Sequence, residues 1–393
     1  MVGPLGREQH SPRTRLLRPR PSKGRAGPVY DDMRLECVDK IYRREYILPT
    51  VLRSPAHGCL VPQHAGSSTV TPPQAAKFSL SFEVYPPRTP VGWERLQASV
   101  LELSTVEPSF ISVTFGAGGT GEKDSLEVLR FIRDHTATSP LAHLTCLGHT
   151  RAETETLVTS LLQEGIRHFL ALRGDHLPHT PLPVVEGANT AAELVDLMCS
   201  LQIWPQSLSR PRSTADLGDL SIAVAAFPNG HPESGSSRRD IDALKAKQDA
   251  GADFAITQLF FDVDDYFRFL DDCDGAGITL PILPGLLPVT SMARLKRSVE
   301  LSGERWPGTL AGLLETASDD FERRQRGVDF TSRLVSALHA GGAPGVHLYA
   351  FNDHLTVLDT LARAGQLPIA NPNEMLAPES FVSPEAATAP FAR

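Results

Sequence analysis

From residue 78 onward the chain alternates short β-type runs with amphipathic helical stretches. The runs occupy residues 78–85, 110–115, 141–147, 166–172, 221–226, 254–260, 280–286 and 346–351. They are rich in Val, Ile, Leu, Phe and Thr, and several are apolar throughout, as strands buried on both faces must be. Helical periodicity fills the intervals. Residues 125–135 place Leu126, Leu129 and Ile132 near a 3.6-residue spacing. Residues 150–163 open with Thr150 and Glu153, a capping-box pair. Residues 240–250 run into Gly251 and residues 354–364 into Gly365, both suited to the position after a helix. Residues 263–270 and 292–301 follow the same pattern. Strands alternating with helices imply a parallel sheet, and eight strands close a barrel. The expected fold is an α/β (β/α)8 TIM barrel over residues 77–366, with a doubly wound open sheet as its rival. The stretches 176–219 and 303–327 exceed simple loops, so each is expected to hold a helix with irregular segments.

The remaining features restrict partners and compartment. The 393 residues are 41% hydrophobic and 21% charged, which suffices for one barrel-sized core. The net charge of -8 points away from nucleic acid or an anionic membrane surface. No stretch approaches the ~20 apolar residues needed to span a bilayer. Five widely spaced cysteines suit reduced thiols in a cytoplasmic protein better than a disulfide framework. Residues 1–76 are Arg- and Pro-rich and read as a largely disordered extension, with only 41–53 suited to order. Its arginines admit a transit peptide, but Pro4, Pro12, Pro19 and Pro21 interrupt any amphipathic helix there. Residues 367–393 form a Pro/Ala-rich tail that is expected to be loose.

Active sites of such barrels are assembled at the C-terminal ends of the strands. Polar residues at those ends therefore carry the chemistry. Glu83 lies inside the first run, where a carboxylate is costly unless paired or functional. Desolvation is expected to raise its pKa and suit it to general acid work, and an ion pair with a neighbouring strand is the alternative. Arg173-Gly174-Asp175 closes the fourth run with a guanidinium and a carboxylate around a glycine that admits a ligand to the backbone. Gln258 offers an amide that both donates and accepts. Residues 116–121 match G-x-G-x-x-G, but no acidic residue closes a strand some twenty positions on, so a barrel-top loop is expected instead. His143, His176, His179 and His231 lack the convergent ligands of a metal site, and no metal is expected. No lysine lies within the runs, apart from Lys77 just before the first, which weighs against Schiff-base chemistry.

Seven blocks in order resemble the methylenetetrahydrofolate reductases over residues 78–365, the catalytic barrel of the bacterial type. They are Ser81-Phe82-Glu83-Val84-Tyr85-Pro86-Pro87-Arg88, Ser112-Val113-Thr114-Phe115-Gly116-Ala117-Gly118-Gly119, His143-Leu144-Thr145-Cys146 and Ala171-Leu172-Arg173-Gly174-Asp175. Ala225-Ala226-Phe227-Pro228 with His231-Pro232-Glu233, residues 255–262 and residues 284–289 continue them. The resemblance implies FAD at the barrel top, reduced by NADH or NADPH. It also implies hydride transfer to 5,10-methylenetetrahydrofolate, giving 5-methyltetrahydrofolate for methionine synthesis. By position, Glu83 matches the family's general acid and Asp175 the carboxylate between flavin and pterin. Gln258 matches the amide that contacts folate. Thr114, His143, Arg173, Gly174, Asp175, Phe227, His231, Asp240 and Lys247 match flavin-contacting positions. Phe227 stands where many members have Tyr, and Asp353 where Arg is common. Ser298 falls, on a looser alignment, where a member carries an aromatic near the substrate. A homo-oligomer is the expected assembly. A flavin-independent reductase with direct hydride transfer and a non-catalytic folate-binding barrel are the alternatives.

Overall fold

A computed structural model describes residues 78–114, 122–174, 186–202 and 221–367. The extension 1–76, the tail beyond Leu367, the 116–121 loop, Asp175, His176 and His179 lie outside the described residues.

Each of the eight runs forms a stave of a parallel barrel. The strands are β1 (Ser79–Val84), β2 (Phe110–Val113), β3 (Pro140–Thr145), β4 (His168–Leu172), β5 (Ser221–Ala226) and β6 (Phe254–Thr257). The seventh stave is broken into β7 (Ile282–Leu283) and β8 (Gly285–Leu286), and β9 (Gly345–Tyr349) is the eighth. Pro284, which has no N–H for a ladder, separates the two halves. β7 pairs with β6, β8 pairs with β9, and β9 pairs with β1, so the strands form a closed circuit rather than an open sheet.

Helices cover the outside: α1 (Pro90–Ser104), α2 (Glu122–His135), α3 (Arg151–Gln163), α4 (Ala191–Gln202), α5 (Ser237–Asp249) and α6 (Val263–Gly275). The last crossover holds α7 (Met292–Ser302), α8 (Gly308–Glu315) and α9 (Asp320–Ala340), and α10 (His354–Arg363) follows β9. The capping box of α3 is present, with Thr150 and Glu153 satisfying each other's backbone N–H. Gly251 and Gly365 take positive φ after α5 and α10, as the sequence suggests.

Strand alternation sorts the core into layers. Outward residues such as Phe82, Val84, Ile111, Leu144, Phe169 and Val224 join the helices in the main apolar cluster. Inward residues form a second cluster of Phe110, Leu141, Leu170, Ala223, Ile256 and Leu283, the filled interior expected of a barrel this size. Two residues further along β3, β5 and β6 the same inward face presents polar or small side chains, His143, Ala225 and Gln258, and Glu83 joins them from β1. That step from apolar to polar along one face creates the site. A third cluster, Leu259, Leu287, Val289 and Leu295 with residues of α8, supports Tyr349 and Phe351 at the rim.

Candidate active site

The polar ends of the strands enclose a cavity of about 400 Å3. Glu83 (β1), Thr114 after β2 and His143 (β3) line one wall, with Gln258 after β6. Arg173 and Gly174 after β4 line it too, as do Phe227 and His231 after β5, and Asp240 and Lys247 on α5. The described residues thus bring together every candidate except Asp175.

Glu83 is the most constrained of them. Its Oε1 accepts a hydrogen bond from Thr114 Oγ1 at 3.3 Å. Its Oε2 lies 3.4 Å from His143 Nε2 and 3.8 Å from His347 Nε2. Parallel registers of β1 with β2 and with β9 bring these groups together, setting Glu83 opposite Ser112 and Tyr349. Sequence reasoning expects burial to raise this carboxyl. Burial does push it up, but the His143 and His347 imidazoles and the Thr114 hydroxyl outweigh that, and the pKa lies below its ordinary value. Burial also lowers the pKa of His143, and neither of its ring nitrogens has a hydrogen-bond partner.

His347, Ser81 and Tyr349 are site residues that the sequence patterns do not single out. His347 Nδ1 is 2.9 Å from Ser81 Oγ, and its ring stacks on Phe110. Tyr349 donates from its hydroxyl to the Thr257 carbonyl at 2.8 Å, and burial followed by the Glu83 charge raises it well above its ordinary pKa. The usable signal was the two-residue period: Ser81 and Glu83, like His347 and Tyr349, share the inward face of a strand. The Tyr349 ring also explains Gly285, where a Cβ would collide with the Thr257 carbonyl and crowd the Tyr349 hydroxyl.

The opposite end of the cavity sets Lys247 and Arg173 beside Asp240 and Glu233. Lys247 Nζ donates to the Ala225 carbonyl at 2.8 Å and lies 5.9 Å from the centre of the Phe227 ring. Burial pulls its pKa down to about 8, against the pull of Asp240. Asp240 Oδ2 accepts from His231 N at 3.0 Å and Ser234 Oγ at 2.8 Å, which fixes the loop after β5. Phe227 and His231 meet edge to face at 4.7 Å, and Arg173 pairs with Glu233 at 2.5 Å. Gly174 takes φ of 91°, so the turn itself demands glycine there, and its Cβ would also crowd Thr145. Gln258 accepts from Leu259 N through Oε1 at 2.9 Å.

Two departures have structural explanations. Asp353 is the N-cap of α10 and accepts from Thr356 N at 3.1 Å, so its carboxylate is committed to the helix. Ser298 is fully buried in α7, donates to the Arg294 carbonyl at 2.8 Å and does not line the cavity. Among the described residues no three His, Cys, Asp or Glu side chains stand close enough to hold a metal ion. No helix among them is long and apolar enough to cross a membrane.

The family model described as methylenetetrahydrofolate reductase matches residues 70–365. The chain belongs to the methylenetetrahydrofolate reductase family. The chain is 36% identical over 278 residues to the 5,10-methylenetetrahydrofolate reductase of Escherichia coli (strain K12), covering 70% of this chain and 87% of that one. A probable methylenetetrahydrofolate reductase (NADH) of Oryza sativa subsp. japonica is 30% identical over 296 residues, covering 72% of this chain and 48% of that one. Among solved structures, an uncharacterized protein from Clostridium thermocellum that binds two copies of 5-methyl-5,6,7,8-tetrahydrofolic acid shares the fold. Its TM-score is 0.50 at 14% identity, covering 74% of this chain and 95% of that one. In this methylenetetrahydrofolate reductase family member, Glu83 and His143 on the strands, Thr114, Arg173, Gly174, Phe227, His231 and Gln258 on the segments after them, and Asp240 and Lys247 on α5 line one cavity.

Proposed function

We propose that the chain reduces 5,10-methylenetetrahydrofolate to 5-methyltetrahydrofolate, with hydride drawn from NADH or NADPH through FAD, and so feeds methionine synthesis. The observation that carries this is Glu83, a carboxylate open to the cavity between two imidazoles and a hydroxyl. The end that carries Lys247 and Arg173 is where a dinucleotide would sit. Lys247 is a half-buried amine whose hydrogen bond goes to a carbonyl rather than a carboxylate, and Arg173 and His231 also line the cavity. His143 Nδ1 is a buried polar atom with no hydrogen-bond partner, which a heterocycle edge would satisfy. Thr114, His143, Arg173, Gly174, Asp175, Phe227, His231, Asp240 and Lys247 would hold FAD, which supplies the two-electron relay between nicotinamide and folate.

Glu83 protonates N10 of the substrate as the bond from N10 to the methylene carbon breaks. The carbon is left as an iminium on N5, ready to receive hydride. Asp175, outside the described residues, is the carboxylate proposed to stabilise that cation. The Gln258 amide orients the pterin. Glu83 is held below its ordinary pKa in the open cavity, where its side chain is 21% exposed. A ligand that covers it removes solvent from the carboxyl, raises its pKa and favours the acid form the reaction needs.

The test is an absorbance spectrum of the purified protein together with NADH consumption on adding methylenetetrahydrofolate. A flavin spectrum with about one FAD per chain and folate-dependent NADH oxidation is expected. A colourless protein that turns over without FAD would support direct hydride transfer, the reading that the missing Phe227 hydroxyl favours. Folate binding with no NADH oxidation would make the barrel a binding protein.

A further inference from the structure

The loop after β5 is anchored from outside the cavity as well as from within. Inside, Asp240 accepts from the His231 backbone and the Ser234 hydroxyl. Outside, the anchor is the side chain of Asn229, which lies between Phe227 and His231 in the chain and does not line the cavity. Its Nδ2 donates to Asp265 Oδ2 and to Glu304 Oε2, at 2.8 Å each. Its Oδ1 accepts from Arg268 Nη2 at 3.0 Å. An amide nitrogen carries two hydrogens, so both are committed, and the carbonyl oxygen is engaged too. Gly230 follows with φ of 90°, and its N–H closes a turn onto the Phe227 carbonyl at 3.1 Å. A shift of Asn229 would therefore carry Phe227 and His231 with it.

The partners of Asn229 come from two other elements. Asp265 is buried in the first turn of α6, and its Oδ1 accepts from Arg268 at 2.6 Å and Arg305 at 3.0 Å. Glu304 is buried in the turn after α7, and its N–H donates to Ser302 Oγ at 3.2 Å. That turn also meets the loop directly. Leu301 and Ser302 line a small crevice with Phe227, His231 and Pro232. Gly303 takes φ of 72°, and a Cβ on it would stand 2.6 Å from Pro232 Cγ. Such contact fixes how near turn and loop stand, and hydrogen bonds, being directional, fix the orientation. Two buried carboxyls around one amide are costly to assemble, and no step of the reaction proposed above uses them.

We propose that Asn229, gripped by Asp265 and Glu304, is a positioning residue for the flavin: it holds Phe227 and His231 at the cavity from behind, so FAD affinity depends on a cluster that does not line the cavity. The inference rests on FAD binding at that wall, as proposed above. The grip also gives FAD affinity a pH dependence. The charged groups of the cluster are Asp265 and Arg268 on α6 and Arg305 beside Glu304, and the loop adds His231 and Glu233. Burial pushes Glu304 up to about 7, with the Asp265 charge adding to it and the Asn229 hydrogen bond opposing it. Loss of that proton sets two carboxylates against each other around one amide and loosens the grip. FAD affinity therefore falls as pH rises through about 7.

The test follows FAD release when the full-length holoprotein is diluted, by the flavin fluorescence that returns, at pH 6 and pH 8. Asn229→Ala should raise the FAD dissociation constant about tenfold at pH 6, the effect of losing one or two buried hydrogen bonds. The visible circular dichroism of the flavin that stays bound should change as well, which a loss of fold stability alone would not produce. Glu304→Gln keeps an acceptor for Asn229 and removes the charge. It should match wild type at pH 6 and hold FAD about tenfold more tightly at pH 8. His231 and Lys247 also titrate at the cavity, but in both proteins, so the difference between wild type and Glu304→Gln isolates Glu304. Should Asn229→Ala fail to fold, that comparison decides alone. Unchanged FAD affinity in Asn229→Ala, or a Glu304→Gln protein that tracks wild type at both pH values, would overturn the positioning role and leave the flavin site standing. Wild-type protein that binds no FAD would sink the flavin reading and this inference together.

Discussion

Glu83 and Glu304 are both withdrawn from solvent, yet their carboxyls move in opposite directions. Glu304 sits in the turn between α7 and α8, where its Oε2 accepts from Asn229 Nδ2 at 2.8 Å. Asn229 also donates to Asp265, which pairs with Arg268 at 2.6 Å and Arg305 at 3.0 Å. Burial pushes Glu304 up to about 7, and the Asp265 charge adds to that against the Asn229 hydrogen bond. Glu83 meets the same desolvation, but two imidazoles and a hydroxyl face it, and its pKa falls. Burial has one sign for every carboxyl; the charges and donors around it decide the outcome.

The sharpest way to break this contrast is Glu83→Gln, which keeps the shape and removes the acid. Folate-dependent NADH oxidation should fall by at least about a hundredfold, the range general acids supply. NADH oxidation by a quinone dye, which needs no proton on folate, should stay near wild type. Equal loss of both activities would move Glu83 from acid to scaffold.

Next in size is the stability conferred at Glu304. Its pKa is raised from an ordinary 4.5 to about 7, so between those values the folded chain keeps a proton that the unfolded chain has lost. Its stabilising contribution is therefore full below about 4.5 and is lost as pH rises through about 7, by about 3 kcal/mol at most. Glu304→Gln should remove that pH slope and be more stable than wild type at pH 8. Urea midpoints for both proteins at pH 5 and pH 8 would show it, and parallel shifts with pH would disprove the assignment.

The smallest effect separates the imidazoles. His143→Gln deletes the largest of the charges opposing burial at Glu83. The Glu83 carboxyl, followed by 13C NMR in the ligand-free protein, should then titrate at higher pH than in wild type. An unchanged titration would leave His347 and Thr114 as the groups that hold it down.

Much of this was readable in the order of residues. All eight strand runs form, and the 3.6-residue spacing of α2, the capping box of α3 and the glycines after α5 and α10 are local patterns that the fold keeps. Helices α1, α8 and α9 were less legible. The stretch 303–327 suggested one helix with irregular segments, whereas α8 ends at Glu315 and α9 continues to Ala340. A turn of four residues, with Asp319 as the next N-cap, separates them. The split of the seventh stave at Pro284 is visible only once its two halves are seen to pair with different neighbours.

Glu83 and Gln258 were candidates because position along a strand is a local property, and Thr114 and His143 were candidates through the family resemblance. The protonation balance of Glu83 was not. His347 stands 264 positions further along the chain than Glu83, by their residue numbers, and reaches it only because β9 closes the barrel against β1. Electrostatics falls with distance through space rather than along the chain. Composition and periodicity could therefore place an acid on the inner face, while only the closed ring of strands could determine which way its pKa would move.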